Sequence, residues 1–259
     1  MPPALTDRAL HDRVIRALAD ARYRASPDWQ RRGLADADRV ERYARFLARH
    51  FYHERIVQFF KYSRALARVT LRPPEGVLTQ AGFESLLPDV VLGSRGTAQA
   101  VARLVVTFVT AGGTRVPYLA DLLRYEAAMM VVEAGPRIWR ETGKREQGRR
   151  KSAAPETVEG TVILDLAYDL PAVLPKLLQP WTEVPEAPAR PTRLLVARSP
   201  HGRVAVARSD ASVATVVGLA NGKRTLEQLA TDASLELPVL EATLRDLVEL
   251  GAMRFSTGS

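Results

Sequence analysis

Two short alternating runs flank a tight turn in the last quarter of the chain, and three helical patterns follow at once. Residues 193–197 and 203–207 alternate side-chain character around Pro200, His201 and Gly202, which predicts a β-hairpin. The first helix, over about 211–220, ends at Asn221 and Gly222, a favourable C-cap pair. The second opens at Thr225 with Gln228 three residues on, the spacing of a capping box. The third takes Pro238 as its first helical residue and turns Leu240, Leu244, Leu247 and Val248 inward; Gly251 ends it, and 253–255 returns as a strand. Strands, three helices and a closing strand make a winged helix-turn-helix-like pattern. Upstream, 161–166 reads as a strand and Pro171 begins a short helix reaching Leu178. Pro180, Pro185, Pro188 and Pro191 then form an extended, stiff connector.

The chain before this region has a different period. Leu10, Val14, Leu18 and Ala21 recur at helical spacing after Thr6 or Asp7 as a cap, and Asp36 or Asp38 opens a second long helix. There Val40, Tyr43, Ala44, Leu47 and Phe51 form one stripe opposite Glu41, Arg42, Arg45 and Arg49. Beyond Phe51 the stripe moves to Tyr52, Ile56, Phe59 and Phe60, so the helix either kinks or is buried on two sides. Further helices are expected near 79–87, 97–111 and 118–134, separated by prolines and glycines. The predicted class is α+β: an all-α helical bundle over 1–142, a basic linker over 143–158, and a small winged helix-turn-helix-like α+β domain over 159–259.

Charge divides along the same line. Residues 1–158 carry 27 basic and 17 acidic side chains, whereas 159–259 carry 10 and 12. The excess of the first part suits an acidic partner or a polyanion. There is no cysteine, which removes disulfides, thiolate metal sites and a cysteine nucleophile. No apolar run nears the roughly 20 residues of a membrane span and the N-terminus lacks a signal-peptide core, so a cytoplasmic protein is expected.

Catalytic constellations are hard to assemble. His50 and His53 lie one helical turn apart beside Glu54, but their aromatic neighbours favour a structural or interface role over a metal face. His201 belongs to a turn. The run from Gly218 to Thr225 has one residue too few between its glycines for a phosphate loop, and Arg224 stands where a magnesium-ligating Ser or Thr would be. Glu126 falls beside an apolar stripe, either paired with an arginine or exposed. No metal or cofactor is expected in this chain.

Five stretches together resemble a known family: RYARFLARHFYHER at 42–55, FFKYS at 59–63, LRYEA at 123–127, LDLAYDLP at 164–171 and LANGKRTLEQLA at 219–230. The chain resembles the methanobactin biosynthesis protein C family, partner subunits of multinuclear non-heme iron-dependent oxidases. That resemblance implies a non-catalytic subunit forming a heterodimer with the iron enzyme and holding the leader of a ribosomally made precursor peptide, whose cysteines meet iron in the partner. The leader site would then comprise Arg203, Val204, Ala205, Val206 and Arg208 with Leu240, Glu241, Leu244 and Arg245. The enzyme would meet Arg45, Arg49, Tyr52, His53 and Tyr62. An extended peptide adding to a sheet edge is a sound physical mode of capture, provided that 253–255 does not cover the strand.

The rival reading is a winged-helix DNA-binding transcriptional regulator. A recognition helix presents basic and amide side chains to DNA. The third helix instead offers Glu241, Asp246 and Glu249 against Arg245, which disfavours nucleic acid.

Overall fold

The computed structural model describes residues 7–31, 37–113, 115–134 and 154–256. It is an α+β protein whose contacts divide it into two compact units, between Arg115 and Val116.

The first unit is helical: α1 (Asp7–Ala19), α2 (Ala21–Arg24), α3 (Pro27–Gln30), α4 (Ala37–Phe59), α5 (Lys61–Ala65), α6 (Ala67–Thr70), α7 (Ala81–Leu86) and α8 (Arg95–Thr110), with 3-10 turns at Pro74–Thr79 and Leu87–Asp89. Asp20 ends α1 and caps α2, its carboxylate accepting from the N–H groups of Arg22 and Tyr23 at 2.9 and 3.2 Å. The helix α4 runs unbroken through the point where its stripe shifts. Ala44, Ala48, Tyr52, Ile56 and Phe59 are buried at helical spacing, joined in the core by Phe60, Phe83 and the α8 residues Val101, Val105 and Val109. α1 packs on α4. A stripe through two alanines allows close helix approach, and it turns Tyr43, which the sequence places in the apolar stripe, out to solvent.

The second unit comprises α9 (Leu119–Glu133), β1 (Ala154–Thr157), β2 (Val162–Leu166), α10 (Leu170–Leu177), β3 (Thr192–Arg198), β4 (Val204–Ser209), α11 (Ala211–Leu219), α12 (Leu226–Ala233), α13 (Leu237–Leu250) and β5 (Met253–Ser256). An antiparallel sheet of order β2-β3-β4 is its centre. One face, with Ile163, Leu195 and Ala197, packs into a core with Val216, Val217, Leu229, Leu240, Leu244, Leu247 and Met253 of the helices and β5. The helix α9 packs across β2, β3 and β4. Sequence reasoning grouped 118–134 with the helical bundle. The helix belongs instead to the sheet-containing unit, whose Leu164, Leu166, Leu194 and Val196 need cover of their own.

The expected linker also needs correction. Residues 143–153 lie outside the described ones, but Ala154–Thr157 is a strand paired antiparallel with β5. Pro155 reads as a breaker, yet proline is tolerated at an edge position that needs no donor. Across from β5, Gly222 N–H donates to Pro155 O and Thr157 N–H to Ala220 O, both at 2.9 Å, tying β1 to the turn before α12. That turn is pinned again by Arg224, which donates to Leu219 O at 2.7 Å and to Asp232 at 2.8 Å. The capping box at Thr225 and Gln228 is present.

Candidate functional site

The hairpin geometry determines which backbone groups of β4 are open. Gly202 N–H donates to Ser199 O and Ser199 N–H to Arg203 O, both at 2.8 Å, with Gly202 at φ +79°. Ser199 and Arg203 therefore face each other as a hydrogen-bonded pair. Bonded and non-bonded pairs alternate in an antiparallel ladder. With Ala197 opposite Ala205 and Leu195 opposite Ala207, those alanines bond inward, and the N–H and C=O groups of Val204, Val206 and Arg208 face away from β3. No strand pairs with that side among the described residues, because β5 is paired with β1. Val204, Ala205, Val206 and Ala207 are all only partly buried. An apolar edge strand left open is a template for another strand.

The opposite edge differs. The same alternation turns Asp165 outward on β2, and its carbonyl already accepts from Arg124 at 2.9 Å. Just beyond, the N–H groups of Ala167 and Tyr168 donate to the buried Asp121 carboxylate of α9 at 2.6 and 3.2 Å. Side chains of α9 thus occupy backbone groups at the end of that edge.

Behind β4 lies a buried charge. The Asp169 side chain is wholly excluded from solvent and is bound by Arg190 and, at 2.6 Å, by Arg208 of β4. The hydrogen bond from Arg190 is the largest influence holding its carboxyl below the usual range; burial opposes it, and Arg208 adds to the lowering. Asp169 N–H donates to Pro188 O at 2.9 Å, and the Tyr118 hydroxyl donates to Pro185 O at 2.6 Å. Burial pushes the Tyr118 hydroxyl up to about 12. The proline-rich connector is thereby fastened behind the sheet and linked to the edge strand through one carboxylate. Glu126, beside these groups in sequence on α9, is fully buried.

The expected peptide-binding residues separate into two sets. Arg203, Val204, Ala205, Val206 and Arg208 line the open edge. On α13, Glu241 and Arg245 are exposed, whereas Leu240 and Leu244 are buried in the core and line no open groove. Their helical spacing is that of a core face, and it supports α13 from beneath. The end of α13 does reach the hairpin: a Cβ on Gly251 would stand 2.2 Å from Arg198 O.

The expected partner-binding residues separate as well. Tyr52 is 1% exposed and belongs to the core, so it presents no surface. Its hydroxyl lies near Thr97 and the Gly93 backbone without a hydrogen bond of ordinary geometry, and burial raises it to about 12. Arg49 donates to Leu78 O at 2.9 Å and pairs with Glu84. Arg45 pairs with Glu41 at 3.0 Å. Exposed His53 meets Glu54 at 3.4 Å, and Tyr62 is half-buried under the Lys61 ammonium. Sequence reasoning missed Phe46, which is 61% exposed, in a ladder between Tyr43 (centroids 6.1 Å apart) and His50 (6.5 Å). The i, i+3, i+7 spacing of Tyr43, Phe46 and His50 was a signal for it. Among the described residues no group of three or more His, Asp or Glu is gathered as for a metal ion, and no helix is long and apolar enough to cross a membrane.

The chain matches no protein-family model, and no curated protein matches it.

Proposed function

We propose that this chain is a non-catalytic partner subunit that takes up the leader of a ribosomally made precursor peptide as a fourth strand on β4 and delivers it to an iron-dependent oxidase. The observation that carries the reading is the outward N–H and C=O groups of Val204, Val206 and Arg208, left without a strand partner among the described residues at the edge of a sheet packed by helices on both faces. Main-chain bonds at such an edge supply affinity for an extended peptide, and the neighbouring side chains select its sequence. Ala205 and Ala207 are small and lie on the helix-facing side of the sheet, which leaves room there for side chains of an added strand.

The oxidase partner is assigned to the exposed Tyr43, Phe46 and His50 ladder on α4 with Arg42, Arg45 and His53 around it. Aromatic anchors ringed by arginine are the composition of binding hot spots. The assignment to an oxidase rests on resemblance, with the iron in the partner. A DNA-binding role is disfavoured by α13, where Glu241, Asp246 and Glu249 are all exposed and would repel phosphate.

The test is affinity purification of the tagged chain coexpressed with the products of its neighbouring genes. An iron-containing oxidase and a short cysteine-bearing peptide should copurify. Phe46→Ser should release the oxidase alone, and Val206→Pro, which removes one outward donor, should release the peptide alone. Retention of both in both variants would sink the reading.

A further inference from the structure

The hairpin that presents the open edge is a basic island within residues 159–259, which carry 10 basic and 12 acidic side chains. From residue 194 to residue 209 it carries Arg198, His201, Arg203 and Arg208 and no carboxylate. Arg203 is exposed, and its one hydrogen bond among the described residues as a donor is from its backbone N–H to Ser199 Oγ at 3.3 Å. The Arg208 side chain, 53% exposed, donates through Nη2 to Asp169, while its Nε and Nη1 have no acceptor among the described residues. Because Arg190 shares the same carboxylate, two guanidinium groups answer one negative charge and the cluster keeps a net +1. On α13 the exposed Glu241 and Arg245 offset each other.

We propose that the strand taken up on β4 is acidic, with carboxylates five residues apart that meet Arg203 and Arg208. The spacing follows from the ladder, since an added strand runs in register with β4 and five residues span roughly 16 Å. Alternation puts positions five apart on opposite faces, so the two carboxylates address the two sides of the sheet. Guanidinium forks bind carboxylates with charge-assisted, geometrically specific bonds. The proposal rests on strand docking at β4, and its test separates the two.

A random ten-residue peptide display library is selected on the immobilised full chain and, in parallel, on Val206→Pro; Val204→Pro serves if that variant does not fold by circular dichroism. Expected are sequences lost on the proline variant and enriched in Asp or Glu at two positions five apart. In a synthetic copy of such a peptide, Lys at both positions should weaken binding at least about tenfold at low salt, as each pair passes from attraction to repulsion. Arg203→Glu should recover part of the loss. Sequences lost on the proline variant but without acidic enrichment would overturn the acidic strand and leave strand docking standing. Enrichment of no proline-sensitive sequence would overturn both. Tight binding of a 20-base-pair duplex, abolished by Arg203→Glu, would make the hairpin a phosphate contact and would likewise overturn the proposal.

Discussion

Replacing Gly251 by alanine perturbs the joint between α13 and the hairpin that carries the open edge. Gly251 ends α13 at φ +85°, in the left-handed region, and is buried. A side chain in that region costs roughly 1–2 kcal/mol by backbone sterics alone. The added Cβ would also lie 2.2 Å from Arg198 O and 2.8 Å from Ser199 Cα, both backbone atoms. Ordinary contact needs roughly 3.5 Å, so the hairpin and the helix end must part by about 1 Å. Overpacking of this kind costs about 1–3 kcal/mol. The sum is about 2–5 kcal/mol, a large share of the roughly 5–15 kcal/mol available to a domain. Native-state hydrogen exchange at the β3 amides, read across a urea series, reports opening of the second unit. Gly218→Ala is the control: its Cβ meets nothing within 4 Å inside α11, and it should stabilise by about 0.5–1 kcal/mol. A loss below about 1 kcal/mol for Gly251→Ala would refute the reasoning.

Other expectations follow from the buried carboxylate and the exposed ladder. The Asp169 carboxyl is lowered in the folded chain, so the unfolded chain binds its proton more readily and stability rises with pH. Its contribution is complete above the unfolded value of roughly 3.9 and is lost as pH falls through the folded value. Asp169→Asn should therefore be less stable than the parent at pH 7, with the gap narrowing below about pH 4; a gap constant down to pH 2 would contradict the pairing. Phe46→Ser should leave the unfolding free energy from a urea titration within about 0.5 kcal/mol of the parent, because its ring is mostly in water, while weakening oxidase binding at least about tenfold in a titration. Loss of fold in that variant would mean that the ring belongs to the core.

Local chemistry was legible in the sequence and long-range pairing was not. The hairpin turn, the Thr225 capping box and Gly251 at a helix end each depend on residues within one turn, and each stands where the spacing puts it, while Pro238 is the second residue of its helix, after Leu237, and not the first. The strand at Ala154–Thr157 is invisible locally, because its partners lie in β5 and the turn at Ala220–Gly222. The capture of α9 by the sheet, and the meeting of Asp169 with Arg190 and Arg208, join segments tens of residues apart. Tyr43 failed as a core residue because helical period alone cannot say on which flank a neighbour packs, and buried Ala44 and Ala48 mark the other flank. Averaging charge over a hundred residues hid the carboxylate-free hairpin. The candidate strand was legible from its alternation; which of its amides are open required the pairing.

The central claim is that β4 presents alternate backbone groups to an incoming strand, and residue-resolved amide hydrogen exchange tests it most directly. In the free protein the Ala205 and Ala207 amides should exchange slowly and those of Val204, Val206 and Arg208 fast, since only the first pair bonds to β3. With a library-selected peptide at saturation, the amides of Val204, Val206 and Arg208 should slow at least about tenfold, while Ile163 and Asp165 on the opposite edge stay unchanged. Outward amides that remain fast while the peptide is bound would contradict strand addition at β4.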